Sequence, residues 1–489
     1  MKKLKSKLVA LLMLATLPMA STAFAEGGVE VMHLGVNNTM VRVTGTAKYL
    51  LIPVQESAEE ARVKVLVDGE PAKNLNIRLA MNRVDYLVPF LLTPYEGHRV
   101  LLNIVTTQGR STLREVKDDA CWKEMKLSDT FDTANREQYR PAFHHTPLYG
   151  WMNDPNGMFF KDGTWHLYYQ YNPYGSKWQN MSWGHSTSKD LITWEHQPVA
   201  LEVDGLGHVF SGSSVVDSAG TAGFGKDAIV ALYTSCDASQ YQSMAYSTDG
   251  GTTFRRYPGN PILTLESEAR DPNMFWDDKA GQWVMTLAHA LDHEILFFTS
   301  PDLKVWTLQS AFGKGEGAQD GVWECPDLFK LKVEGTDEEK WVLICNLNPG
   351  GPFGGSATQY FIGDFDGKTF TSDTDASGRI PTKWMDFGKD HYATVSWSGT
   401  PQNRRTVIGW MSNWQYAAEV PTTQYRSANT LPRDLSLFRA PDGEIYLASA
   451  PAAELTALRG TLACKAKKAT AGKKPCVFEL PAAQRGICE

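Results

Sequence analysis

The sequence predicts an all-β protein. Its long middle region reads as a β-propeller of about five blades, with a smaller sandwich-like β module ahead of it. Three observations carry this. Short runs of alternating apolar and polar residues dominate from residue 26 onward. All 15 tryptophans fall between Trp122 and Trp414. Through the same stretch, Asp-centred turns recur at a nearly constant spacing. With 489 residues, 42% hydrophobic and 21% charged, the chain can form two to four domains with buried cores. A net charge of −7 repels phosphate backbones, so no nucleic-acid partner is expected.

Taken in order, residues 1–25 read as a secretory signal peptide. Four lysines among the first seven residues precede an apolar run, and Ala23-Phe24-Ala25 is a small-x-small cleavage site. Cleavage near Ala25 implies export to the periplasm, the cell surface or the medium. No later stretch has the ~20 uninterrupted apolar residues a spanning helix needs, so no membrane span is expected. Residues 26–117 alternate with period two, as in Ala61-Arg62-Val63-Lys64-Val65, with turns such as Asp68-Gly69. This predicts an all-β module, and no catalytic cluster is visible in it. The charged, less periodic residues 118–136 read as a linker.

Residues 137–432 carry the repeat. Ser188-Lys189-Asp190, Ser247-Thr248-Asp249, Ser300-Pro301-Asp302 and the looser Gly363-Asp364-Phe365-Asp366 each lead into an aromatic residue. The copies are roughly 50 to 65 residues apart and are flanked by strand-like runs, the mark of four-stranded blades. Residues 433–489 offer a few strands and then a locally basic end, read as a truncated module or a solvated tail.

Three further segments share a pattern the turns do not explain. They are Asn153-Asp154-Pro155-Asn156-Gly157, Arg270-Asp271-Pro272-Asn273 and Trp323-Glu324-Cys325-Pro326-Asp327. Each sets an acid by a proline just before apolar strand residues. Proline disfavours helix in the residue before it, so each acid is expected to be extended at a strand's beginning. If those strands line a propeller axis, the three carboxyls converge. Converging carboxylates suit glycoside hydrolysis, in which one protonates the leaving oxygen and another attacks the anomeric carbon or activates water. A metal is the competing use of clustered acids, but no H-E-x-x-H, EF-hand or His ligand spacing is present. No metal and no cofactor are therefore expected.

At these residues the sequence resembles glycoside hydrolase family 32, the invertase, levanase and inulinase family. The match runs from Arg140-Pro141-Ala142-Phe143-His144-His145 through Trp151-Met152-Asn153-Asp154-Pro155-Asn156-Gly157, Trp183-Gly184-His185, Phe210-Ser211-Gly212-Ser213 and Arg270-Asp271-Pro272 to Trp323-Glu324-Cys325-Pro326-Asp327. The resemblance implies a five-bladed propeller followed by a β-sandwich, here incomplete, and hydrolysis of β-fructofuranosides with retention. It implies that Asp154 is the nucleophile, Asp271 the transition-state stabiliser and Glu324 the acid/base. It also assigns Asn153, Gln170, Trp178, Phe210, Ser211, Arg270 and Trp410 to substrate binding, Trp410 as an apolar wall. The implied substrate is a fructan (levan or inulin) or sucrose. Two alternatives stay open at this point: fructosyl transfer through the same intermediate, and a fructan-binding protein without turnover.

Overall fold

The alternation in Ala61–Val67 becomes a strand in which Ala61, Val63 and Val65 are buried while Arg62 and Lys64 face water. The same period-two logic holds in Tyr86–Leu91 and Val100–Thr106. The computed structural model describes residues 24–26, 28–106, 116–132 and 137–460. Most of the expected leader and residues 461–489 of the expected tail lie outside them. Strands are the dominant regular structure of the described residues, which form two compact units. Among them, no helix is long and apolar enough to cross a membrane.

The first unit holds the N-terminal module. One sheet orders its strands as Phe24–Glu26, Val29–His33, Asn38–Val43, Val100–Thr106, Ala61–Val67 and Glu70–Ile77. A second sheet orders Tyr86–Leu91, Tyr49–Val54 and Lys126–Ser128. The linker expected at 118–136 is corrected here. Lys126–Ser128 pairs antiparallel with Tyr49–Leu51, and Cys121 and Trp122 of the short helix Ala120–Glu124 are buried. Charge disguised a segment that packs. The unit also takes in Asn172–Asn180 and Val203–Gly207.

Among the described residues the second unit holds five sheets, antiparallel but for one parallel edge pair, whose first strands are Gly150–Lys161, His208–Asp217, Ala269–Asp277, Val322–Lys332 and Tyr392–Ser396. These five inner strands neighbour one another in cyclic order, the last returning to the first. One small void is lined by Asn156, Ser211, Asp271, Cys325 and Val395, one residue from each inner strand among its lining. The Asp-centred turns join third to fourth strands. Asp190 Oδ1 accepts the Ile192 and Thr193 N–H groups at 2.9 and 2.7 Å. Asp302 does the same for Lys304 and Val305 at 3.0 and 2.9 Å, and Asp366 for Lys368 and Thr369 at 2.9 and 2.7 Å. An Asp side chain that caps its own turn is a local device, so it repeats wherever the turn does.

Two features depart from the expected boundaries. Arg433–Arg439 and Ile445–Pro451 are the outer strands of the fifth sheet, so the break expected at 432/433 falls inside a sheet. Tyr425–Arg426 leaves the fifth sheet's run to pair in parallel with Gly150–Trp151 of the first sheet.

Candidate active site

The inner strands are not regular where the acids sit. Pairing shifts register between Arg270 and Asn273, between Glu324 and Asp327, and at the matching places Val209/Gly212 and Tyr392/Val395. Asp271 and Cys325, each just before a proline, have φ of +64° and +44°, and Ala393 has +52°. This corrects the expectation of extended pre-proline residues at a strand's beginning. The acids lie inside strands, and at two sites the pre-proline residue turns left-handed to make a bulge. A bulge inserts one unpaired residue and re-aims its neighbours, which is how a pleated strand can turn chosen side chains aside. In the first inner strand, Gly157 has a φ of +52°, and a Cβ there would lie 2.5 Å from the Trp183 ring. The glycine of Asn153-Asp154-Pro155-Asn156-Gly157 thus permits both the turn and the packing.

The acids meet around Cys325. Its thiol lies 3.6 Å from Asp154 Oδ2 and 3.5 Å from Asp271 Oδ2, and its N–H donates to Asp271 Oδ2 at 2.9 Å. Asp154 is held on both oxygens, Oδ1 by the Asn153 amide at 2.9 Å and Oδ2 by the Ser211 hydroxyl at 2.7 Å. Glu324 adjoins Cys325 in the chain. Its Oε1 accepts from Arg270 Nε at 3.1 Å and its Oε2 from the Tyr392 hydroxyl. Arg270 also reaches Glu268 at 3.1 Å. The structure therefore gathers Asp154, Asp271, Glu324, Asn153, Ser211 and Arg270 into one constellation.

Its electrostatics follow from crowding. Burial, then the Glu324 charge, raises the Asp154 pKa, against which the Ser211, Asn153 and Cys325 donors pull down. Asp271 is raised by burial and by Glu324, with Arg270 opposing. Burial lowers the Arg270 pKa, but the Glu324 and Asp271 charges outweigh it and hold the guanidinium charged. Burial and the Glu324 charge keep the Tyr392 hydroxyl protonated, so it remains a donor. Carboxyls whose pKa is raised by burial and neighbouring negative charge, as those of Asp154 and Asp271 are, are suited to hold a proton near neutral pH.

The remaining expected residues sort differently. Gln170 is buried one step away, its amide donating to Val209 O at 3.0 Å. Phe210 precedes Ser211 and packs, partly buried, on the core that contains Trp151 and Met152. Trp410 is wholly buried behind Trp151, Tyr392 and Trp414, at 6.1, 6.4 and 4.9 Å between ring centres. It presents no surface of its own, which corrects its expected place as a wall: it backs the site. Trp178 lies on Asn172–Asn180 of the first unit and is 39% exposed. Sequence reasoning missed Tyr392, the Cys325 thiol and Thr234, whose hydroxyl accepts the Asp271 N–H at 3.1 Å. Cys325 stood inside a quoted motif, whereas Tyr392 carried no local signal.

Several known proteins are similar to this chain. The levanase of Bacillus subtilis (strain 168) is 48% identical over 334 residues, which cover 66% of this chain and 48% of that protein. An extracellular exo-inulinase of Aspergillus niger is 45% identical over 336 residues, covering 62% of each chain. The chain thus spans about half to three fifths of the length of these relatives. Among solved structures, a fructofuranosidase from Schwanniomyces occidentalis complexed with fructose matches with a TM-score of 0.62 at 39% identity, covering 66% of this chain and 64% of that one. Exo-inulinase from Aspergillus awamori matches with the same TM-score at 42% identity, covering 66% and 68%. A family model described as a domain of unknown function (DUF4980) matches residues 35–143. The model of the glycosyl hydrolases family 32 N-terminal domain matches residues 144–451, well over half of the sequence and all five inner strands. The chain belongs to glycoside hydrolase family 32.

Proposed function

We propose that this chain is an exported, retaining β-fructosidase that hydrolyses fructans or sucrose, its five sheets serving as the blades of a propeller. The observation that carries this reading is the approach of the Asp154 and Asp271 carboxyls to one thiol, with Glu324 next in the chain. The names of the levanase, exo-inulinase and fructofuranosidase relatives supply the substrate class.

In this mechanism, the Asp154 carboxylate attacks C2 of the terminal fructosyl unit. The Glu324 carboxyl gives its proton to the leaving oxygen as the C2–O bond breaks. Water then attacks C2, loses its proton to Glu324, and releases the Asp154 carboxylate and free fructose. Ser211 and Asn153 hold the nucleophile's two oxygens, so little reorganisation is needed at attack. Asp271 and Arg270 grip sugar hydroxyls, which matters most as positive charge grows on the ring. Gln170 and Phe210 complete the proposed sugar contacts.

The test is product analysis over time with levan, inulin and sucrose. Release of fructose with retained configuration is expected, and its loss in Asp154→Ala. Dominant oligofructan formation at high sucrose would favour transfer instead, and tight fructan binding without any product would favour a binding protein.

A further inference from the structure

The two bulges that aim Glu324 and Tyr392 release backbone groups from their ladders. Pairing is interrupted between Glu324 and Asp327 in the fourth inner strand and between Tyr392 and Val395 in the fifth. Cys325 and Thr394 lie in these gaps, and a bulged residue drops out of its own ladder. Buried N–H and C=O groups set loose in this way need a partner, or each is destabilising. Asn346 supplies one. It lies on Glu339–Asn348, the second strand of the fourth sheet, across the ladder from Glu324, and is fully buried. Its Nδ2 donates to Cys325 O at 3.0 Å and to Thr394 O at 3.3 Å. Its Oδ1 accepts the Thr394 N–H at 3.1 Å and the Thr358 hydroxyl at 2.6 Å. A side-chain amide has two N–H donors and two acceptor lone pairs, and here all four are used. Turned over, the amide would set Nδ2 against the Thr394 N–H and Oδ1 against two carbonyls, so the backbone dictates its orientation. Thr358 pairs with Asn346 from the third strand, Ala357–Phe365, and its hydroxyl favours the same orientation.

The amide thus fastens Cys325, next after Glu324, to Thr394, two residues past Tyr392. Glu324 and Tyr392 are the pair that hydrogen-bonds between the fourth and fifth inner strands. We propose that Asn346 is a positioning residue. It fixes the two bulges against each other and so holds the Glu324 carboxyl where it can protonate a leaving oxygen. The kinetic consequence rests on the hydrolase reading above. A displaced acid slows most those substrates whose leaving group needs a proton. The sugar released from sucrose or levan leaves as an alcohol and needs one. β-Fructofuranosyl fluoride does not: the Asp154 carboxylate attacks C2, the C2–F bond breaks, and fluoride departs as the anion. General damage to the site would slow both substrates alike.

The full chain is assayed with sucrose and with the fluoride. In Asn346→Ala, kcat/KM is expected to fall about a hundredfold on sucrose and less than about fivefold on the fluoride. Equal losses on the two substrates, or an unchanged value on sucrose, would overturn the proposal. Thr358→Val keeps the bulk and removes the hydroxyl that holds Oδ1, so it should lose about fivefold on sucrose and nothing on the fluoride. Thr358→Ser keeps the hydroxyl and should match wild type. If Asn346→Ala does not fold, the Thr358 pair decides, and equal sucrose values for Thr358→Val and Thr358→Ser would overturn the proposal. Hydrogen exchange gives a readout independent of turnover. The Cys325 and Thr394 amides should exchange severalfold faster in Asn346→Ala and Thr358→Val than in wild type or Thr358→Ser, and equal rates would overturn the proposal. A wild-type chain inactive on sucrose, levan and the fluoride would overturn the hydrolase reading alone and leave the exchange comparison to decide.

Discussion

Aspartates do opposite work at the inner strands and at the outer turns of the second unit. In the turns between third and fourth strands, burial is the largest single influence on Asp190, Asp249 and Asp302 and pushes each up. Their own turn's N–H and hydroxyl donors outweigh this and hold each carboxyl below the ordinary range. At the inner strands, burial and neighbouring negative charge win, and Asp154 and Asp271 are raised. The residue type is the same; the number of donors per carboxylate and the distance to the next carboxylate decide. Turn aspartates settle the fold, whereas the inner ones are held in a conflict that folding alone would remove.

The largest expected effect breaks the inner set outright. Asp154→Ala and Glu324→Ala should each lower kcat/KM by a thousandfold or more, about 4 kcal/mol of barrier, with the fold intact by circular dichroism. Near-normal turnover in either would remove that residue from the chemistry.

Next, Asp271→Asn should cost activity about a hundredfold and yet raise stability near pH 7 by about 1–2 kcal/mol. The folded-state pKa of Asp271 is raised, so its contribution to stability is full below the unfolded-state value. It is lost as pH rises through the folded-state value, and the ionised form is penalised at neutral pH. Asparagine abolishes that loss. Chemical denaturation at pH 7 and pH 3.5 should show the gain only at the higher pH.

A smaller effect should follow from Ser211→Ala. It takes a donor from Asp154, so the acid limb of the kcat/KM profile should move to higher pH, with about a tenfold loss at pH 5. An unmoved limb would mean that another group sets it. Smallest of all, Asp302→Ala should cost about 1 kcal/mol of stability from lost turn hydrogen bonds and leave kcat/KM unchanged.

The same contrast explains what was legible in the sequence. The turn aspartates could be read directly, because each bonds to residues two to four positions on. The three acids could be read as motifs because proline, asparagine and glycine surround them in short order. The left-handed backbone at Asp271 and Cys325 ran against the local rule for residues before proline, since tertiary pairing, not local preference, sets a bulge. Tyr392 lies 68 residues beyond the glutamate it serves, and no spacing could announce it. The linker expected at 118–136 and the truncated module or tail expected at 433–489 rest on charge and brevity, although strands within them complete sheets begun elsewhere.

The parallel pairing of Gly150–Trp151 with Tyr425–Arg426 has a bearing on biogenesis. During synthesis the earliest inner strand emerges long before this neighbour, so one of its flanks waits until nearly the whole second unit has left the ribosome. Contacts this distant along a chain are slow to form, and an open strand flank invites pairing with another nascent molecule. A chaperone that shields that flank, or a circularly permuted gene that makes the two segments contiguous, should raise the yield of soluble protein.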